Sequence, residues 1–521
     1  MNSGALAVND FTTDETLIIA ELQGTIERQQ REIELLNQKL QYLLHQRFGR
    51  KSEQSNPAQG SLFAIDEAVV VTEEAEPEVE VEPATPRKGG RRRPPKDLPR
   101  VRIEHDLSEA DKRCTCGACR ERISEERSEQ YDIVPPRFQV LEHVRYTYAC
   151  PNCDRGMVTA PKAPDPLPRS QVSPGLLAWI GTGKFVDGLP LHRQARILER
   201  RFGVAFTRTT LSNWMILAAL RLLVPFAKAM EPHLLGRDYL HVDETTLQVL
   251  EEPERYAWQK SYLWVRATGA GTGPPILLVD YSPTRAGAVA TGLLDGFAGY
   301  LQVDGYSGYN EIAARDTVVV LGCWAHARRK FDAVIKSTGR LSREGVLARQ
   351  ALEHIQQLYR IEKAHKDQPP AVKQARRQSE SRAVLDQLRH WLDDHLESAA
   401  RSGGALAKAC GYLANQWPRL VRFVEDGRLH LDNNPAERHI RPIAVGRTAW
   451  LFCQSQTGAH ATAAWYSVVE TAKANGWEPY HYLRWLFTAL PKYLEANLPL
   501  DPLFPWNVTP ADATAPLAGR G

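Results

Sequence analysis

The chain has 521 residues, 43% of them hydrophobic, enough apolar material for several domains with buried cores. Lys and Arg number 65 against 62 Asp and Glu, a formal net charge of +3, so overall charge alone marks neither a nucleic-acid binder nor an acidic protein. No apolar run reads as a membrane span and the polar N-terminus lacks a signal-peptide pattern, so a cytoplasmic protein without a membrane partner is expected.

In residues 1–50, Ile19, Leu22, Ile26, Gln29, Ile33, Leu36, Leu40 and Leu43 alternate steps of three and four. This is the a/d seam of a coiled coil, with Ile at a and Leu at d, and it predicts a homodimer or higher oligomer. Gln29 at a d position weakens the seam. The competing reading is an amphipathic helix packed on its own protein, and the charged segment after residue 50 disfavours it by isolating the helix. Residues 51–105 form a linker in which 66–82 carry eight acidic side chains and no basic one, while 87–102 carry eight basic ones and a single Asp. Such blocks are solvated and disordered, and the basic half adds salt-sensitive phosphate contacts if DNA is bound.

Residues 106–165 read as a zinc module. Cys116 with Cys119, and Cys150 with Cys153, form two C-x-x-C knuckles able to close one tetrahedral site, and Cys114 stands as an alternative ligand through a C-x-C pairing. The separation of the knuckles exceeds the usual ribbon spacing. A β-hairpin resolves this, because Phe138, Val140, Val144, Tyr146 and Tyr148 alternate between them. Cys323, Cys410 and Cys453 are solitary and read as core or incidental residues.

Residues 166–235 contain a helix-turn-helix-like pattern. Leu191, Ala195, Leu198 and Phe202 mark one stripe, Gly203 ends it, and Thr207 caps a second helix with Leu211, Trp214, Ala218 and Leu222 inward. Arg208, Thr209, Thr210, Ser212 and Asn213 would then face DNA. An ordinary αα-hairpin fits equally, since nothing in the motif dictates groove insertion.

In residues 236–335, three β-rich runs at 239–249, 261–268 and 275–281 predict an antiparallel meander. A helix near 284–294, a strand at 299–304, a strand at 317–322 and a helix opening at CWAHARRKF continue it as βα units. Asp243 then lies on the first strand and Asp304 at the end of the fourth, neighbours in a ribonuclease-H-like sheet. Magnesium needs few protein carboxylates because substrate phosphates complete its shell, so such a pair suits a nuclease-type site; taken singly, each Asp reads as a turn residue. Residues 336–424 are a helical insertion, 425–455 carry Glu437 on a helix, and 456–521 form a C-terminal helical region. Asn434, Pro435 and Glu437 occupy N-cap, N1 and N3 of that helix, so local sequence leaves Glu437 either a capping-box residue or a ligand. His326 is either an accessory group that positions a phosphate or nucleophile, or a structural hydrogen-bonding residue.

The stretches QRFGRKSE (46–53), SEQYDIVPPRFQVLEHVRYTYACPNC (128–153), HVDET, QVDGYSGYN, CWAHARRKF and DNNPAERHIRPIAVGRTAWLF resemble the insertion-sequence 66 family of DDE-type transposases, over most of residues 15–490. The resemblance implies a ribonuclease-H-like catalytic core with a helical insertion, preceded by coiled coil, zinc module and helix-turn-helix. It implies that Asp243, Asp304 and Glu437 bind two Mg2+ or Mn2+ ions, that one structural Zn2+ is present, and that Arg438, Arg441 and Arg447 suit phosphate contacts. The implied activity is cleavage of transposon terminal inverted repeats and their joining to target DNA, with accessory proteins of the same element as further partners. Two other readings are a DNA-binding regulator without catalysis and a structure-specific ribonuclease-H-like nuclease.

Overall fold

The computed structural model describes residues 137–148 and 157–509, together with Gln29, which is helical and exposed. The rest of the expected coiled coil, the charged linker and the five cysteines from Cys114 to Cys153 lie outside the described residues. Residues 137–144 belong to a separate unit, 70–144, and form neither helix nor strand. In the larger unit, β1 (Thr147–Tyr148) pairs antiparallel with β2 (Val158–Thr159), a hairpin across the second cysteine pair and not the one expected between the two pairs. Tyr146 and Tyr148 are exposed, so the alternation seen in sequence buries no face here.

Helices α1 (Pro174–Phe185), α2 (Leu191–Phe202) and α3 (Arg208–Ala218) come next along the chain. Gly203 ends α2 in the left-handed conformation at φ 70°, which glycine adopts without Cβ strain. Thr207 caps α3, its hydroxyl accepting from the Thr210 N–H at 3.0 Å. The second helix is longer than the sequence pattern suggests. One π turn (Ala219–Leu223) carries it into α4 (Val224–Leu235), so Arg208–Leu235 is long and apolar enough by composition to cross a membrane. That corrects the expectation that no such run exists. Leu211, Trp214, Met215, Ala218, Leu222, Leu223, Phe226, Met230 and Leu234 are buried in the protein's own core, which accounts for the apolar composition.

The sheet is built from β3 (Tyr239–Glu251), β4 (Lys260–Thr268), β5 (Leu277–Ser282), β6 (Gly299–Gln302) and β7 (Val318–Leu321), in the order β5-β4-β3-β6-β7. β3, β4 and β5 form the antiparallel meander; β6 and β7 run parallel to β3, joined by α5 (Gly287–Leu293) and α6 (Asn310–Ala313). The protein is thus of mixed α/β class. β3 is buried along nearly its whole length, as expected of a central strand covered on both faces. A short strand, β8 (Cys453–Ser455), pairs parallel with its far end.

Edge strand β5 would expose backbone donors and acceptors. Helix α13 (Gln456–Ala474) closes it: Ser467 Oγ accepts from Val279 N at 2.8 Å, and Thr471 Oγ1 accepts from Leu277 N at 3.0 Å. Spaced by four, the two hydroxyls share one helix face. Gly181 in α1 allows close packing against α13, since a Cβ there would sit 2.3 Å from the Trp465 ring. Helix α14 (Pro479–Glu495) completes this core, so the C-terminal helices are integral to the sheet's packing.

A second core belongs to the insertion. Helices α7 (Trp324–Thr338), α8 (Arg343–Ala364), α10 (Arg382–Ser402) and α11 (Gly404–Leu420) bring Phe331, Ile355, Leu358, Leu388 and Leu413 into it, while the short α9 (Pro370–Arg376) buries none of its residues. Arg377 ties this core to the segment before Glu437, donating to Glu362 and to the carbonyls of Phe423, Asp426 and Leu429 at 2.6–2.9 Å. The chain then enters α12 (Asn434–Trp450), which carries Glu437.

Candidate active site

Asp243 sits on β3 where β6 ends beside it, and Asp304 lies two residues beyond the last residue of β6. Their carboxylate oxygens lie within 4.8 Å of each other and of Glu244. Glu244 is the member that the sequence pattern does not single out. Period-two alternation assigns it to the strand face opposite Asp243, so HVDET gives no sign that the two carboxylates converge. Both of its oxygens are engaged, one by Arg285 and the other by the Tyr309 hydroxyl at 2.8 Å. Asp304 accepts from the Tyr306 N–H at 2.9 Å and pairs with Arg285 at 3.5 Å. The Arg285 guanidinium also lies 4.0 Å above the Tyr306 ring, so one cation is shared by two carboxylates and an aromatic face.

Burial, then the negative charges of Glu244 and Asp304, push the Asp243 carboxyl well above the usual range. Glu244 is raised by burial and by Asp304, against the opposing pull of Arg285, and Asp304 is raised by burial. Packed this way, the acids resist ionising together. A divalent cation would relieve that repulsion, and the all-oxygen donor set fits a hard ion such as magnesium.

Glu437 is buried on α12 and its charge acts on Asp243, but it is not part of the group within 4.8 Å. The capping box that the sequence left open as one role for Glu437 is absent. Asn433 occupies the N-cap without a side-chain cap bond, which moves Asn434, Pro435 and Glu437 one position further into the helix. The Asn433 amide is engaged elsewhere: its oxygen accepts from His241 Nδ1 at 3.0 Å, and its nitrogen donates to Val242 O at 3.1 Å. The helix start is therefore stapled to β3 just before Asp243. Glu437 instead forms an ion pair with Arg329 of α7, another residue not singled out in sequence although it lies within CWAHARRKF. Arg329 also acts electrostatically on Asp243 and Asp304.

His326, one turn before Arg329, has a buried Nδ1 without a hydrogen-bond partner among the described residues. Burial, then Arg329, Lys330 and Arg285, hold it down to about 3, so it is neutral at physiological pH.

The arginines after Glu437 divide. Arg438 and Arg441 are exposed. Arg447 Nη1 donates to the Thr246 carbonyl and to the Thr245 and Thr246 hydroxyls, so part of its guanidinium braces β3. At the start of α3, Arg208 and Asn213 are exposed, whereas the Thr210 hydroxyl is bonded to that of Thr207 at 2.9 Å. Cys323, Cys410 and Cys453 are buried free thiols.

Four family models match the chain: transposase IS66 family at residues 169–461, transposase C of IS166 homeodomain at 35–103, zinc-finger binding domain of transposase IS66 at 111–154, and IS66 C-terminal element at 467–506. Among similar proteins is y4qI, an uncharacterized protein of Sinorhizobium fredii (strain NBRC 101917 / NGR234), 32% identical over 74% of this chain and 72% of its own. A second from the same strain, y4jD, also uncharacterized, is 32% identical over 79% of this chain and 81% of its own. The zinc-finger match supports zinc binding by residues 111–154, and the match at 35–103, to a model that represents a transposase leucine zipper, supports oligomerisation.

Proposed function

The chain belongs to the transposase IS66 family, and from that premise we propose that it is a DDE-type DNA transposase, cutting insertion-sequence ends and joining them to target DNA at Asp243, Asp304 and Glu437. The observation that carries this reading is the approach of Asp243 and Asp304 to within 4.8 Å from adjacent parallel strands, in a sheet whose order and directions suit a ribonuclease-H-like core. When bound, divalent ions would activate the attacking oxygen and stabilise the departing one. Asp243 presents its carboxylate from within central strand β3, Asp304 from just beyond the end of β6, and Glu437 adds a third from α12. Arg285 holds Glu244 in place and limits the charge beside Asp304, while Arg329 does the same for Glu437. Neutral His326 carries a buried Nδ1 on the same helix as Arg329, one turn before it.

In the same reading, Cys116, Cys119, Cys150 and Cys153 hold one structural zinc, the seam of residues 19–43 pairs protomers, and Arg208, Asn213, Arg438 and Arg441 contact DNA. The test is to incubate the full chain, in magnesium, with DNA bearing the ends that flank its reading frame. Joined products support a transposase; cutting of branched DNA without joining selects a nuclease, and binding without either selects a regulator.

A further inference from the structure

Helix α2 (LHRQARILERRF) turns Gln194 and Leu198 into the protein, both buried. The Gln194 amide donates to Ile180 O at 3.1 Å and Leu189 O at 2.9 Å, which fixes the helix's rotation. Arg193, Arg196 and Arg200 consequently form an exposed row at steps of three and four, about 10 Å long. They line an open cleft of about 500 Å³ with Leu189, Ile197 and Glu199.

This row works against its own helix. Arg193 lies in the first turn, where the macrodipole disfavours a cation, and no acidic residue accompanies it there. Arg193 and Arg196, and Arg196 and Arg200, are like-charge neighbours that destabilise an isolated helix. Among the described residues, none of the three forms an ion pair, although Glu199 lines the same cleft. Arg208 at the start of α3 belongs to the same field. Partial desolvation, then Arg193, Arg196 and Arg208, depress the protonation of His192.

We infer that Arg193, Arg196 and Arg200, with Arg208 beside them, form a surface that grips the phosphate backbone of duplex DNA without reading its sequence. The inference rests on the reading of the chain as a DNA-acting protein and assigns it a positioning surface on α2, separate from the exposed side chains along α3. A linear row of guanidinium forks suits a line of phosphates. An acidic polypeptide is the weaker match, because the cleft supplies only half-buried Leu189 and Ile197 as apolar anchors and no aromatic one.

The experiment measures binding of the full chain to a duplex of scrambled sequence across a salt series, for wild type, the triple variant Arg193→Gln/Arg196→Gln/Arg200→Gln, and the corresponding triple Lys variant. The Gln variant should weaken binding at least about tenfold and flatten the dependence of log K on log salt by about 0.9 for each phosphate it no longer neutralises. The Lys variant should keep most of the slope, and the Gln variant should melt no lower than wild type, because the side chains are exposed and their removal relieves like-charge repulsion along α2. An unchanged slope and affinity in the Gln variant, with wild type still binding, overturns this surface while leaving the transposase reading intact. Wild type that binds no duplex at all overturns both. Polyglutamate binding to wild type more tightly than the duplex, and abolished in the Gln variant, reassigns the face to an acidic polypeptide and overturns the inference.

Discussion

Glu437 of α12 and Arg329 of α7 form an ion pair between the helix that ends the insertion's return path and the helix that begins it. Glu437, the proposed third acidic residue, is thereby held by a counter-charge from another element and not by its own helix start, whose N-cap is Asn433. In the proposed reading, a metal ion held by Glu437 would share its carboxylate with Arg329, which couples that capture to the position of α7.

The crowding of Asp243, Glu244 and Asp304 predicts stabilisation by magnesium. With free ion at about 10 to 100 times Kd, binding to the folded state adds about 1.4–2.7 kcal/mol. The melting temperature of wild type should rise on magnesium addition, and Asp304→Asn should abolish most of the rise. In metal-free buffer at neutral pH, Asp304→Asn should melt no lower than wild type, since it removes a carboxylate whose ionisation is resisted by its surroundings. A magnesium shift of equal size in that variant contradicts the assignment.

His241 gives a pH dependence with a definite sign. Burial first, then His430, hold it down from 6.5 to about 3. The folded state keeps it neutral while the unfolded chain protonates it, so its contribution is present above 6.5 and is lost as pH falls toward 3. In that window the slope is about 1.4 kcal/mol per pH unit for one proton. Urea unfolding of wild type and His241→Gln at several pH values should show the wild-type stability falling more steeply below 6.5. Parallel curves would remove His241 as a source of acid sensitivity.

Zinc content tests the cysteine knuckles. Protein purified without chelator should carry one zinc per chain, and Cys150→Ser should lose it, because a structural site with three thiolates is incomplete. Loss with Cys114→Ser and retention with Cys119→Ser would select the C-x-C pairing instead.

Self-association should depend on the N-terminal seam. A chain lacking residues 1–50 is expected to sediment as a smaller species than the full chain while keeping its folded core. An unchanged oligomer would assign association to another surface.

The sheet is legible in the sequence because its strands are bounded by Gly, Pro and charged turns and differ in period from the helices around them; the runs at 239–249 and 261–268 lie within β3 and β4. The two Asp residues are legible for the same reason, since strand order alone brings them together. Local inference fails at positions decided by distant partners. Asn433 takes the N-cap that Asn434 resembles because Asp432 accepts the Asn434 N–H at 3.1 Å and His241 claims the Asn433 side chain. The acceptors of Arg447 Nη1 lie on β3, far away along the chain, and local sequence gives no sign of them. Glu244, Arg285 and Arg329 come from three separate segments, and no spacing rule links them.

The most direct test of the account is strand transfer by Glu437→Gln. A neutral amide is a poor magnesium ligand, and no capping box depends on Glu437, so the helix start should persist. The account predicts a folded protein that binds terminal DNA normally but whose cleavage and joining in magnesium or manganese fall by about a hundredfold or more, matching Asp243→Asn and Asp304→Asn. Near-normal strand transfer by Glu437→Gln would contradict it, removing this residue from the catalytic set and leaving its ion pair with Arg329 as its role.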